Sequence, residues 1–201
     1  MSRKVFDKLT SAGGALLVVV LVVAGGLLTW GHGFVNSNVR DQLAQQQIYF
    51  PPQAAFAHAK AGSEITPSMI PSVSQYAGQQ LLTGPQAKVY ANDFIKVHLA
   101  EMPYGGVYSK ASAALMKDES NPKLQGVVAT IFKGTTLRGL LLEAYAFSTV
   151  GTIMLIGAIV SFIVAALLAV LVGLGFWHAA RTPQEKQVLA GKTAPEPSPA
   201  A

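Results

Sequence analysis

The chain contains no cysteine, which excludes disulfide bonds, thiolate metal ligands, cysteine nucleophiles and lipid anchors on cysteine. Charge is also scarce: 12% of the residues are charged and 51% are hydrophobic, whereas soluble domains carry roughly 25% charged residues. The strict alternation of apolar and polar residues that marks a half-buried strand is almost absent. Together these absences predict an all-α membrane protein.

Residues 144–180 form the longest stretch without a charged side chain, between Glu143 and Arg181. A helix needs about 20 apolar residues to cross the hydrocarbon core of a bilayer, so this stretch is long enough. The alternative, a helix buried in a large soluble core, is disfavoured because the whole chain has only 201 residues. We therefore predict a transmembrane helix over residues 144–178, continuous with a preceding helix from about residue 135.

Small residues recur at every fourth position of this second span. In lipid, helices associate largely by close packing at small side chains, because burying leucine against leucine gains little over leaving it among acyl chains. The alternative is that glycine and alanine are simply frequent in transmembrane helices. The spacing favours a helix–helix interface formed by Gly157, Ser161, Ala165, Ala169 and Gly173.

A second hydrophobic run lies near the N-terminus and predicts a transmembrane helix over residues 12–33. A cleavable signal peptide is the alternative, but its apolar core spans only about 7–15 residues and ends in a small-residue cleavage site. Here the run is longer and ends with Trp30 and Phe34, which are typical of residues at a membrane–water interface. We expect this span to be retained.

The distribution of basic residues predicts the topology. The tails 1–11 and 179–201 together carry six Lys or Arg residues and three acids. By the positive-inside rule both tails are cytoplasmic, and residues 34–143 form an extracytoplasmic domain of the cell membrane protein. The proline-rich C-terminal tail has little apolar surface to bury, so we predict that residues 179–201 are disordered.

Helical patterns predominate between the two spans. Residues 51–74 are rich in proline and predict an extended, loop-rich segment. Pro85 marks the first turn of a helix to about Met102, since proline is tolerated there. Asn121 is a good N-cap for a later helix, and Gly134 is placed to end that helix. The predicted architecture is two transmembrane helices flanking an extracytoplasmic helical domain.

Candidate catalytic residues are few. The four histidines, His32, His58, His98 and His178, show neither the spacing of a metal site nor a nearby acid cluster. Under the predicted topology His32 and His178 lie at opposite faces of the bilayer, so they cannot share a haem iron. The second span has no ionisable residue in its lipid-buried part to carry protons or ions. We predict no catalytic, cofactor-binding or metal-ligating residue, and scattered basic residues give no support for nucleic-acid binding.

Several stretches resemble a small family of actinobacterial two-span membrane proteins. They are residues 30–35 (Trp-Gly-His-Gly-Phe-Val), 39–43, 46–51, 76–81, 91–99, 136–142 and 175–178 (Gly-Phe-Trp-His). Members are sometimes labelled aromatic ring-opening dioxygenases, although the chain shows no histidine–carboxylate iron site that would justify this label. The resemblance implies an accessory subunit of the actinobacterial cytochrome bcc–aa3 respiratory supercomplex, with oxidase or bcc subunits as partners.

Three hypotheses about function follow. The first is a non-catalytic accessory subunit that packs on a respiratory supercomplex through its transmembrane helices and outer domain. The second is a free-standing, self-associating envelope scaffold that uses the same small-residue interface. The third is an extracytoplasmic enzyme or ligand-binding protein whose site contains His58, His98 and nearby tyrosines.

Overall fold

The computed structural model describes residues 3–181, and within that range it contains helices and no strand. The α-helices are α1 (Arg3–Gln45), α2 (Gln53–Phe56), α3 (Ile70–Val73), α4 (Gly84–Val89), α5 (Lys96–Glu101), α6 (Tyr108–Leu115) and α7 (Pro122–Arg181). Short 3₁₀ turns cover Pro67–Met69, Ser74–Tyr76 and Pro103–Gly106, and Tyr90–Ile95 is a π-helical segment. The all-α prediction is confirmed for this range. Residues 182–201 of the predicted disordered tail lie outside it.

Two of these helices, α1 and α7, are long and apolar enough to cross a membrane. In the most apolar 18-residue stretch of each helix, only 6% of α1 and 11% of α7 is buried against the rest of the protein. A core helix of a soluble protein would bury most of such a stretch. The prediction of two helices able to span a membrane is therefore confirmed, and the orientation of the termini stays a prediction.

Helix α7 runs unbroken for 60 residues. At 1.5 Å per residue it is about 90 Å long, about three times the thickness of the hydrocarbon core. The expected continuity into the second span is present, and the helix begins at Pro122, earlier than the predicted residue 135. The prediction that Gly134 ends a helix is wrong, because this glycine lies inside α7. A Cβ atom there would come within 2.9 Å of Leu99 Cδ2, so its missing side chain provides room for packing.

The start of α7 follows the predicted capping pattern. Asn121 Oδ1 accepts a hydrogen bond from the backbone N–H of Leu124 at 3.1 Å, and Pro122 is the first helical residue. This hydrogen bond satisfies one of the donors that a helix leaves free at its N-terminus. The sequence therefore placed this helix start correctly.

The segment before α4 is more helical than its prolines predicted. Residues 51–74 contain α2, α3 and a 3₁₀ turn, so the expectation of an extended segment is wrong for those stretches. Pro67 and Pro71 each lie in the first positions of a short helix. A backbone N–H at these positions has no acceptor within the helix, so its absence in proline costs no hydrogen bond. Proline here initiates helical turns.

The run from α4 to α5 begins as the position of Pro85 predicted. Thr83 and Gln86 form a capping box: each side chain binds the backbone N–H of the other residue. Pro85 is in the first turn. The run then passes through the π-helical segment Tyr90–Ile95, which the sequence did not reveal, and ends at Glu101.

The chain divides into two compact units, which are described separately. Unit 1 comprises Met1–Trp30 and Leu155–Ala201, and unit 2 comprises Gly31–Met154. Unit 2 contains the main hydrophobic core, in which Met69, Val73 and Leu81 are completely buried. In unit 1 the described residues are the N-terminal part of α1 and the C-terminal part of α7.

Candidate helix interface and interhelical cavity

In unit 1, α1 and α7 pack against each other in antiparallel fashion along a seam of small residues. A Cβ on Gly14 would come within 2.7 Å of Val172 Cγ2, and one on Gly175 would collide with Ser11. Further along, a Cβ on Gly157 would lie 3.2 Å from Leu28 Cδ1. As the residue number on α1 rises, the number of its neighbour on α7 falls.

The buried and half-buried positions of this seam alternate by three and four residues on both helices. This seven-residue repeat keeps one face of each helix turned to its partner. We call these residues, together with Gly157 next to Ala158, the seam: Ser11, Gly14, Val18, Leu21, Gly25 and Leu28 on α1, and Ala158, Ser161, Ala165, Leu168, Val172, Gly175 and Ala179 on α7.

The predicted interface residues divide between the seam and the exposed surface. Ala165 is buried, and Gly157 and Ser161 are half-buried against α1. Ala169 and Gly173 are exposed, and no atom lies within 4 Å of the position that a Cβ on Gly173 would take. A four-residue step turns an α-helix by about 400°, so each step rotates the side chain about 40° away from the previous one. Over four steps the predicted row therefore moves around the helix.

The four histidines lie in different surroundings. His178 Nε2 is 3.9 Å from Asp7 Oδ2 in unit 1. In unit 2, His32 Nδ1 is 2.8 Å from the Gly151 carbonyl, while its Nε2 is 3.1 Å from Asn36 Nδ2. A neutral ring that donates from Nδ1 to Gly151 and accepts at Nε2 from Asn36 satisfies both nitrogens.

Within the described residues, His98 and His58 make no hydrogen bond to each other. His98 places Nδ1 2.8 Å from the Phe94 carbonyl and Nε2 2.9 Å from the Glu64 carbonyl. Both ring nitrogens therefore face backbone acceptors, of which a neutral ring can serve one at a time. His58 is exposed. Within residues 3–181, no group of three or more His, Asp or Glu side chains is arranged to hold a metal ion.

Aromatic rings contact one another in series through unit 2, at and next to the π-helical segment, in tilted and edge-to-face arrangements. Phe50 lies 5.3 Å from Tyr90, Tyr90 lies 4.8 Å from Phe94, and Phe94 lies 4.5 Å from the His98 ring, measured between centroids. Burial raises the pKa of Tyr90 above its ordinary value of 10.0, and the negative charge of Glu64 raises it further. These rings form part of the hydrophobic core.

The π-helical segment also anchors a charged residue of α7. Asn92 Oδ1 accepts a hydrogen bond of 2.9 Å from Arg138 Nη2, whereas Arg138 Nε is buried without a hydrogen-bond partner. Leaving a buried donor unsatisfied carries a desolvation cost, so the Asn92 bond recovers only part of the hydration that Arg138 loses. The bond ties the π-helical segment to the part of α7 that precedes the second span.

A cavity of about 450 Å³ lies in unit 2 between residues 34–46 of α1 and residues 137–147 of α7. Its floor is formed by the buried side chains of Val39, Leu43 and Leu141. Its volume lies in the range of about 300–1,000 Å³ that is usual for small-molecule sites. We call it the interhelical cavity. The sequence analysis missed it, although the apolar positions 35, 39 and 43 at four-residue spacing do indicate a packed inner face of α1.

The walls of the interhelical cavity change in character along both helices. Phe34 and Phe147, which adjoin or overlap the predicted spans, are exposed aromatic side chains. Polar groups come from Gln42 and Gln46, which lie beyond the end of the predicted first span. Another comes from Glu143, which immediately precedes the predicted second span. The arrangement can accommodate a molecule with one apolar and one polar part.

Comparisons with protein-family models, with curated proteins and with solved structures found no match to this chain.

Proposed function

We propose that the protein is a non-catalytic accessory subunit of a larger membrane complex, anchored by α1 and α7 and contacting partner subunits through the exposed faces of these helices. The proposed assembly is the actinobacterial cytochrome bcc–aa3 respiratory supercomplex, which the family resemblance described above implies. Two long helices able to span a membrane support the membrane part of this proposal. In this proposal both termini are cytoplasmic, as the positive-inside rule predicts, and residues 34–143 lie outside the cytoplasm.

The observation that carries the proposal is the exposed row of small residues on α7. Ala166, Ala169 and Gly173 alternate by three and four, as the seam does, but they are exposed and make no part of the α1–α7 contact. Small residues on an outward face let the backbone of another helix approach closely, and such contacts drive helix association in lipid. The seam thus occupies one face of α7 and leaves a second face for a partner helix.

Unit 2 offers exposed aromatic side chains that suit a partner surface. Tyr104 and Tyr108 are 44% and 43% exposed, and the Tyr108 ring lies 5.6 Å from that of Phe132, itself 54% exposed. Aromatic residues are enriched at protein–protein interfaces, where they bury large apolar areas and keep a polar tip. We infer that this patch braces a neighbouring subunit.

The test is affinity purification of the tagged full chain from gently solubilised membranes, followed by mass spectrometry and a reduced-minus-oxidised spectrum. Haem-containing oxidase and bcc subunits should co-purify in reproducible stoichiometry. The double substitution Ala169→Leu with Gly173→Leu should strongly reduce this recovery. Val164→Leu also enlarges an exposed residue of α7 but lies on the side of the helix opposite the small-residue row, so it should leave recovery unchanged.

Two results would contradict the proposal. If the chain is purified alone and without a haem spectrum, the respiratory assignment fails. If it is purified as a stable homo-oligomer that the Ala169→Leu and Gly173→Leu substitutions dissociate, the self-associating scaffold replaces the accessory subunit. Equal recovery of partners with the double variant and with Val164→Leu would remove the exposed row from the interface.

A further inference from the structure

The interhelical cavity presents polar side chains that have no partner within the protein. Gln42, Gln46 and Glu143 are exposed at the rim of the cavity and make no side-chain hydrogen bond or ion pair with any residue in the described range 3–181. Asn38, in contrast, uses its amide N–H to bind the Phe34 carbonyl at 2.9 Å. Two free amides and a carboxylate therefore line the same cavity whose floor is apolar.

We propose that the interhelical cavity binds one membrane phospholipid with an amine-bearing, zwitterionic headgroup of the phosphatidylethanolamine type. An acyl chain would lie against Phe34, Leu140 and Phe147, and the headgroup would lie at Gln42, Gln46 and Glu143. The proposal rests on membrane location, because residues 34 and 144 are the boundaries of the two predicted spans. It does not depend on the identity of the protein partners.

The charge of the cavity selects the headgroup. Glu143 is the one ionisable residue that lines it, and no Lys or Arg side chain belongs to the lining. An ammonium group can donate charge-assisted hydrogen bonds to this carboxylate, and these are stronger than bonds between neutral groups. The side-chain amides of Gln42 and Gln46 can donate to phosphate oxygens. A lipid with net negative charge would bring its phosphate to Glu143 without an ammonium group to offset the repulsion.

The volume of the cavity and the exposure of its apolar walls are also compatible with a phospholipid. The exposed apolar walls of Leu140 and Phe147 are 58% and 54% accessible, so the cavity opens sideways along α7. A site of about 450 Å³ can enclose part of one acyl chain and leave the remainder among neighbouring lipids. Binding then replaces contacts with mobile lipid by contacts with fixed side chains.

The experiment is native mass spectrometry of the delipidated, detergent-solubilised full chain, titrated separately with phosphatidylethanolamine and phosphatidylglycerol that carry identical acyl chains. We expect one lipid per chain and a preference for phosphatidylethanolamine of roughly two- to fivefold, as for one solvent-exposed ion pair. Glu143→Gln should abolish this preference. Glu119→Gln, which removes an exposed acid outside the cavity, should retain it.

A second variant separates the apolar part of the site from the headgroup part. Leu140→Trp places a larger side chain in the cavity wall and should weaken the binding of both lipids at least fivefold, while circular dichroism shows unchanged helix content. The proposal is overturned if the wild-type chain binds both lipids equally. It is likewise overturned if Glu143→Gln and Glu119→Gln behave alike, or if Leu140→Trp leaves both affinities unchanged.

Discussion

A designed disulfide bond across the seam tests the pairing of α1 with α7. The two substitutions are Gly14→Cys and Val172→Cys, and the absence of native cysteine means that no other thiol can compete. The position of a Cβ on residue 14 is 2.7 Å from Val172 Cγ2. Adding one C–C bond of about 1.5 Å places the two Cβ atoms at most about 4.2 Å apart. Disulfides require a Cβ–Cβ distance of about 3.5–4.5 Å, so the pair is within reach.

The assay is oxidation of the purified variant in detergent, followed by non-reducing gel electrophoresis and peptide mass spectrometry. A closed loop of this length would stabilise the protein by up to roughly 5 kcal/mol in the chain-entropy model, so the oxidised form should also unfold at higher temperature. The matched control is Gly13→Cys with Val172→Cys, because no atom lies within 4 Å of a Cβ on Gly13. Equal cross-linking of both variants, or none in the Gly14 variant, would refute the seam.

Three further predictions concern unit 2, each measured by thermal unfolding followed by near-ultraviolet circular dichroism. Gly84→Ala should destabilise the unit by about 1–3 kcal/mol, because the added Cβ would collide with Ser148, and an unchanged midpoint would contradict that contact. Thr83→Ala should cost about 1 kcal/mol by removing the capping hydrogen bond, whereas Thr83→Ser should restore most of it. Because burial raises the pKa of Tyr90, the folded state favours the neutral phenol. Its contribution to stability is complete below pH 10.0 and is lost as the pH rises through the folded pKa; Tyr90→Phe should reduce this alkaline loss, and Tyr49→Phe, at an exposed ring, should not.

Composition and hydropathy predicted the parts of the fold that depend on a whole stretch of residues. The two long apolar helices follow from run length, and the start of α7 follows from Asn121 and Pro122. Predictions that depended on a single residue were weaker. A glycine inside a helix, such as Gly134, costs about 1 kcal/mol of helix stability relative to alanine. This cost is small compared with the cooperative hydrogen bonding of the 60-residue α7 and with the packing of Leu99 against Gly134.

The helix interface shows why a repeat must be matched to the helical period. Of the predicted row, Gly157, Ser161 and Ala165 lie on the side of α7 that faces α1 of the same chain. A four-residue repeat drifts around an α-helix, whereas alternation by three and four stays on one face. Reading the second pattern would have identified Ala158 and Ala179, which are buried, in the seam. The interhelical cavity could not be predicted, because it depends on which faces of α1 and α7 meet.

The separation in sequence of the seam residues has a consequence for biosynthesis. Leu28 and Gly157 meet across the seam although about 130 residues lie between them, and synthesis adds roughly 5–20 residues per second. At these rates α1 is synthesised roughly 6–26 seconds before the part of α7 that it contacts. Its high hydropathy would favour insertion into a bilayer during this interval, when α7 does not yet cover Gly14 and Gly25. The order of translation thus makes α1 a separate apolar helix first and half of a helix pair only afterwards.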